Sequence, residues 1–205
     1  MAKEKTQEMA KLSSQICDQI SSVFSNPTSP YPPPLDLLVS ELTQVSRRRN
    51  SHIFLYGVGR EGLMLKAFAM RLFHLGLSSH IVFDMTTPPI SSSDLLIASA
   101  GPGGFLTVDA ICSVAKSNGA KVLLLTAQPE TGTYVKHATD VCYVPAQTMA
   151  SDGGDTVVSG ERQLLPMGSV YEGALFVLFE MVVYKLGEVL GESPESVRSR
   201  HTNLE

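Results

Sequence analysis

Two glycine-rich turns are the stretches of this sequence whose residue types and spacing best suit the binding of an anion. The first, Gly57-x-Gly59-x-x-Gly62, stands directly after the apolar run at residues 53–56 and directly before a helical pattern of apolar residues. Glycines at a strand-to-helix turn allow a sharp bend, and they let a ligand approach the amide N–H groups at the helix N-terminus. The helix dipole favours negative charge there. The spacing therefore predicts a phosphate-binding turn.

The second turn, Gly-Pro-Gly-Gly at residues 101–104, follows another buried apolar run at residues 94–99. Ligands of parallel α/β sheets bind beyond the carboxyl ends of the strands, so two such turns are stronger evidence than either alone. Arg60 is a candidate to pair with the anion, with a surface ion pair as the alternative. Thr126 is a candidate hydroxyl donor at the end of a later strand, or a structural turn residue. The candidate phosphate-binding residues are Gly57, Gly59, Arg60, Glu61, Gly101, Gly103 and Thr126.

A dinucleotide is the rival ligand, because the first turn also matches the G-x-G-x-x-G fingerprint. Asp84 stands 22 residues beyond Gly62, where a ribose-binding acid is expected. Against this hypothesis, Pro102 and Phe105 in the second turn would crowd a cofactor along the sheet edge, and the chain offers no separate substrate domain. A third alternative is that the glycines serve only tight turns. Spacing alone leaves all three open.

Composition excludes several classes of partner. Of the 205 residues, 43% are hydrophobic and 18% charged, which is ordinary for a globular protein, and a net charge of −4 gives no electrostatic reason to expect nucleic acid or an anionic membrane. No apolar run reaches membrane-spanning length. The three cysteines, Cys17, Cys112 and Cys142, lie far apart in apolar segments, which indicates reduced core residues. We therefore expect a cytoplasmic protein without a metal site.

Alternating strand and helix patterns predict the elements that position the two turns. Strands are expected near residues 52–56, 79–83, 94–99, 121–126 and 140–144, and helices near residues 61–76, 105–118 and 132–138. This alternation requires crossover connections and therefore a parallel sheet with helices on both faces. The fold class is thus α/β, a three-layer sandwich around a five-stranded parallel sheet. Five strands suit the flavodoxin-like order, with ligands at the switch point.

Helices flank this unit, and together they predict a single domain over residues 1–205. N-terminal helices are expected within residues 3–48, separated by a proline-rich connector, and residues 147–162 form a polar loop. The pattern at 168–190 is apolar on nearly every side, so this helix must be buried on all sides. A domain of this size cannot easily cover it alone. We therefore expect residues 168–205 to supply an interface helix and a tail to a homo-oligomer.

Longer stretches resemble a known family. They are GVGREG at residues 57–62, FAMRLFHLG at 68–76, TTPPI at 86–90, DLLIA at 94–98, LPMGSVYE at 165–172 and RHTNLE at 200–205. In order and spacing they resemble the sugar isomerase (SIS) domain, specifically the 6-phospho-3-hexuloisomerase family. The resemblance covers nearly the whole chain. It implies a five-stranded parallel α/β sandwich in symmetric homo-oligomers, dimers or tetramers, with no metal or organic cofactor.

The resemblance also implies a reaction, the interconversion of 3-hexulose 6-phosphate and fructose 6-phosphate through an enediol. Such a reaction needs a base to move a proton between adjacent carbons and an acid to handle the oxygens. Glu172 is the candidate base, in the first turn of a buried helix where desolvation raises the pKa of a carboxyl and the helix dipole opposes that rise. His201 is the candidate acid, and tails in such oligomers often complete a partner's site. The alternatives are a salt bridge for Glu172 and a solvated tail for His201.

Both turns depart from the family's usual pattern. The family usually carries serine where this chain has Glu61, and serines and a glutamate in the second turn where this chain has only glycine, proline and apolar residues. Hydroxyl donors to the phosphate are therefore missing, and Glu61 adds a negative charge where the phosphate is expected. The alternative function is a phosphosugar-binding or regulatory protein with weak or no catalysis.

Overall fold

A computed structural model describes residues 2–133, 135–151 and 163–204. Its centre is a sheet of five parallel strands in the order β2-β1-β3-β4-β5, as predicted. The strands are β1 (Ile53–Gly57), β2 (Ser79–Ile81), β3 (Leu95–Ser99), β4 (Lys121–Thr126) and β5 (Asp140–Tyr143). β1 and β3 are neighbours at the switch point, and Gly57 pairs with Ser99 at their carboxyl ends. Both glycine-rich turns therefore leave the sheet side by side.

Six α-helices within the described residues surround the sheet and complete the predicted three layers. They are α1 (Ala2–Ser22), α2 (Pro34–Ser46), α3 (Gly59–His74), α4 (Leu106–Ser117), α5 (Ser169–Leu190) and α6 (Pro194–Ser199). Alternate residues of the strands point to opposite faces, so the sheet carries two cores. One core contains Phe54, Leu96 and Leu124 with α4, and the other contains residues of α2, α3 and α5.

One predicted helix is wrong. Of residues 132–138, those that the structure describes form only a single 3-10 turn, Val135–His137. Thr131, Gly132 and Thr133 are weak helix formers, and the segment is too short to nucleate a helix by itself. The polar loop predicted at 147–162 lies mostly outside the described residues. None of the helices in the described part of the chain is long and apolar enough to cross a membrane.

The long helix α5 is the main support of the second core. Its side chains Leu175, Leu178 and Val182 are fully buried, and Phe179 stacks on Phe68 of α3 with the ring centroids 4.2 Å apart. This stacking fixes the packing of α3 against α5. The sequence predicts burial on all sides, but in the single chain a stripe of α5 stays open to solvent. The large apolar residues of that stripe are Phe176 and Tyr184, and Val189 is exposed on another side of α5.

Helix α1 contacts the rest of the chain mainly through its C-terminal end. Ile20 packs so closely on Gly173 of α5 that a Cβ there would lie 2.6 Å from the Ile20 side chain. Residues 3–15 are exposed, and they include Met9 and Leu12 on the apolar side of the helix. The amphipathic pattern of α1 thus has no apolar partner over this stretch within the described residues.

Candidate active site

The first turn is shaped by tight backbone packing. A Cβ on Gly62 would lie 2.5 Å from the carbonyl oxygen of Gly57, and a Cβ on Gly57 would lie 2.9 Å from Leu65. Gly59 has a φ of +59°, which disfavours any residue with a Cβ. The space around Gly59 is open, since a Cβ added there would have no neighbouring atom within 4 Å among the described residues. The glycine spacing is therefore required by the bend itself.

Glu61 reaches from α3 across the switch point to the second turn. Its carboxylate accepts a hydrogen bond of 2.6 Å from the Ser99 hydroxyl, and its two oxygens lie 3.0 and 3.2 Å from the amide nitrogen of Gly101. Glu61 is only 5% exposed. Burial raises the pKa of its carboxyl, while the hydrogen bonds from Ser99 and Gly101 lower it. The Gly101 amide, a predicted phosphate donor, is thus already bonded to a carboxylate.

Tyr171, from the first turn of α5, joins the same buried network. Its hydroxyl lies 3.2 Å from the Ser99 hydroxyl. Its ring packs against the second turn, so that a Cβ on Gly101 would lie 2.6 Å from the ring. Neither Ser99 nor Tyr171 is among the site residues predicted from the sequence. The signals that point to them are a polar residue in an otherwise apolar strand and an aromatic residue next to the candidate base.

Gly101→Ala is expected to destabilise the protein by about 1–3 kcal/mol, because the added methyl group overlaps a buried ring that cannot move into solvent. Gly104→Ala is the matched control in the same turn, since nothing among the described residues lies within 4 Å of a Cβ there. Urea unfolding of both variants measures the difference. Equal stabilities of the two variants would show that Tyr171 does not hold the second turn.

Arg60 points away from the second turn and holds the start of α5. Its guanidinium lies 2.9 Å from Oε2 of Glu172, donates a 2.9 Å hydrogen bond to the Ser169 hydroxyl and donates another to the Met167 carbonyl oxygen. Met167 has a φ of +56°, an uncommon conformation for a residue with a side chain. Arg60 thus positions Glu172 and stabilises the turn that starts α5. The phosphate-pairing role predicted for Arg60 would compete with these contacts.

Glu172 carries the features that a base needs. Its side chain is 16% exposed, and burial raises the pKa of its carboxyl, whereas Arg60 lowers it and the negative charge of Glu61 raises it further. Oε2 is buried and, within the described residues, makes the ion pair with Arg60 without an aligned hydrogen bond.

His201 lies at the opposite end of α3 from Glu172. Its ring stacks on His74 with the centroids 5.4 Å apart, and Arg200 fixes the tail by hydrogen bonds to the His74 carbonyl oxygen and to Glu192. His74 ends α3, whereas Arg60, which contacts Glu172, begins it. At 1.5 Å of rise per residue, the two ends of this helix are about 21 Å apart. Within one chain, the structure does not bring the two predicted catalytic residues together.

The remaining predicted residues support the second turn. Thr126 is fully buried and donates a 3.0 Å hydrogen bond to the Ala100 carbonyl oxygen. Gly103 has a φ of +95°, and its amide donates to the same carbonyl. Asp84, the acid of the dinucleotide hypothesis, lines a cavity of about 280 Å³ with Gly57 and Gly62. Among the described residues, no three His, Cys, Asp or Glu side chains could hold a metal ion.

The sequence is similar to those of several proteins with a stated enzymatic name. The chain is 36% identical over 157 residues to the 3-hexulose-6-phosphate isomerase of Bacillus subtilis, covering 76% of this chain and 82% of the relative. It is 34% identical over 174 residues to the enzyme of the same name from Mycobacterium gastri, covering 85% and 81%. No family model matches the chain.

Solved structures share the fold along the whole chain. One is a protein of Methanococcus jannaschii, for which the crystal structure was used to infer 3-hexulose-6-phosphate isomerase function. It is 25% identical to this chain with a TM-score of 0.72, and the match covers 97% of this chain and 99% of that one. A structure from Listeria monocytogenes, described as that of a sugar-phosphate isomerase, has a TM-score of 0.69 at 13% identity, covering 95% and 97%. The second comparison supports the fold alone.

Proposed function

Because the chain belongs to the family of 3-hexulose-6-phosphate isomerases, we propose that it interconverts 3-hexulose 6-phosphate and fructose 6-phosphate. The observation that carries this proposal is a partly buried carboxylate, Glu172, with a raised pKa at the carboxyl edge of the sheet. A general base works best when its pKa lies near the working pH, and a raised pKa moves a carboxyl in that direction. The relatives support the reaction class, and the raised pKa of Glu172 supports its proposed role as the base.

The proposed reaction moves the carbonyl group from carbon 3 to carbon 2. Glu172 removes the proton from carbon 2 and generates an enediol across carbons 2 and 3. The proton is returned to carbon 3, the oxygen on carbon 3 gains a proton, and the oxygen on carbon 2 loses one. His201 is the group proposed to exchange protons with these oxygens, because an imidazole both donates and accepts near pH 7.

The position of His201 makes an oligomer part of the proposal. Since His201 and Glu172 of one chain lie at opposite ends of α3, the pair can act together only if a second copy supplies one of them. The exposed apolar stripe of α5 and the exposed apolar side of α1 offer surfaces for such a contact. A homodimer, or a tetramer built from two dimers, is proposed on these grounds. A cytoplasmic location completes the proposal, supported by three free cysteines. Cys112 and Cys142 are buried as predicted, whereas Cys17 is exposed on α1, so its assignment to the core is wrong.

A direct isomerase assay tests the function. Purified protein is incubated with 3-hexulose 6-phosphate, and the fructose 6-phosphate formed is measured by a coupled dehydrogenase assay. We expect turnover without an added metal ion or cofactor. The alternative, a phosphosugar-binding protein without catalysis, is favoured by the carboxylate on the Gly101 amide. Measurable binding of fructose 6-phosphate without turnover would replace the enzyme proposal by this alternative.

A further inference from the structure

Two hydrogen-bond donors at the switch point between β1 and β3 already hold a carboxylate, that of Glu61. The carboxylate of Glu61 accepts hydrogen bonds from the Gly101 N–H and from the Ser99 hydroxyl. Both donors point to the switch point of the sheet. Donors of this kind, one from a glycine-rich turn and one from a strand end, are what a phosphate at this position would use. Glu61 therefore occupies the place of a ligand's negative group.

Within the described residues, the neighbouring charged side chains do not neutralise the negative charge of Glu61. From α5, Glu172 adds a second negative charge, and the charge of Glu61 raises the pKa of the Glu172 carboxyl. From α3, Arg60 is directed to the start of α5, where it contacts Met167, Ser169 and Glu172. The second turn, residues 100–105, carries no charged side chain. An incoming phosphate thus meets two carboxylates and a cation that already has partners.

We propose that Glu61 lowers the affinity of this site for phosphate, because its carboxylate competes with the substrate's phosphate for the Gly101 amide and the Ser99 hydroxyl. This inference rests on the proposed function, because it concerns the sugar phosphate of the same site. Binding of the phosphate requires the Glu61 carboxylate to leave these donors, and this requirement weakens the affinity for any phosphorylated sugar. The loss of affinity arises from the phosphate group and not from the sugar, so inorganic phosphate should meet the same competition.

Two substitutions separate the charge of Glu61 from the space that it fills. Glu61→Ser removes both and opens the two donors, whereas Glu61→Gln removes only the charge and keeps the shape. The matched control is Glu41→Gln, because Glu41 is also 5% exposed but pairs with Lys121 at 2.7 Å, at the amino end of the sheet. The Glu41→Gln variant measures the effect of neutralising a buried glutamate that lies away from the site.

Calorimetric titrations with fructose 6-phosphate and with inorganic phosphate test the proposal. We expect Glu61→Ser to bind both ligands at least about tenfold more tightly than the wild type, since strong hydrogen bonds to the ligand no longer require breaking others. Glu61→Gln should show a smaller gain for both ligands, and Glu41→Gln none. Unchanged or weaker binding in both Glu61 variants would overturn the proposal. If Glu61→Ser fails to fold, the isosteric Glu61→Gln tests the proposal alone: tighter binding of both ligands supports it, and unchanged or weaker binding overturns it.

These measurements distinguish a failure of the competition proposal from a failure of the proposed function. Turnover of 3-hexulose 6-phosphate by the wild type with no gain from the Glu61 variants would refute the competition and leave the enzyme. No turnover by any variant, together with tighter phosphate binding by Glu61→Ser, would refute the enzyme and support the competition.

Discussion

Glu172→Gln is expected to lower kcat for the isomerisation by about 10²–10⁴-fold, the usual contribution of a positioned base. Glutamine keeps the size and the contact with Arg60, but it cannot accept the proton from carbon 2. The affinity for fructose 6-phosphate and the stability should change little. Steady-state kinetics and titration calorimetry measure turnover and affinity on the same preparation.

The pH dependence of kcat provides a second signature of Glu172. A base must be ionised to act, so kcat falls as the pH decreases through the pKa of its carboxyl. Burial raises that pKa above the ordinary value of 4.5, and the acid limb of the profile should therefore lie above pH 4.5. Glu180→Gln is the control on the same helix, because Glu180 pairs with Arg71 on the surface. Activity of Glu172→Gln above about a tenth of the wild-type value would remove Glu172 from the base role.

Mixing two inactive variants is expected to restore activity if His201 acts on the site of a second copy. Glu172→Gln lacks the base and His201→Ala lacks the acid, so each homo-oligomer should be nearly inactive. In a hybrid dimer, one of the two sites combines the intact Glu172 of one chain with the intact His201 of the other. Since about half of randomly assembled dimers are hybrids, the mixture should reach about a quarter of the wild-type activity.

The reassembly has to be carried out under conditions that let the chains exchange, such as refolding of the mixed variants from urea. Each variant refolded alone serves as the reference. A mixture no more active than the two references, with hybrids demonstrated by a mass tag on one variant, would exclude a shared site. Full activity of His201→Ala alone would instead show that the tail histidine has no part in the reaction.

The sequence predicts the sheet well, because strand identity depends on local apolar runs that the tertiary structure does not override. All five strands and their order agree with the structure, as does the helix at 168–190. The failure at residues 132–138 has a local cause, the glycine and threonines at its start. The N-terminal helices expected within residues 3–48 are present as α1 and α2, and α1 ends at Ser22 before a 3-10 turn, Val23–Ser25.

The site is predicted only in part, for a different physical reason. Glycine spacing identifies both turns, but it does not reveal that Glu61 bonds to Ser99 and Gly101, which lie 38 and 40 residues away in the chain. Hydrogen bonds between distant side chains depend on how the strands are placed side by side, and no periodic pattern records them. The position of His201 likewise depends on the path of the tail along α3.

Arg60 and Glu61 are neighbours in sequence, yet they hold different parts of the molecule. Arg60 binds the start of α5, and Glu61 binds the turn after β3. Consecutive residues of an α-helix point about 100° apart, so one helical turn serves both directions. Inserting or deleting a single residue between Gly57 and Arg60 would rotate both side chains by that angle relative to β1 and release both partners at once. In this stretch, the number of residues is therefore under as strong a constraint as their chemistry.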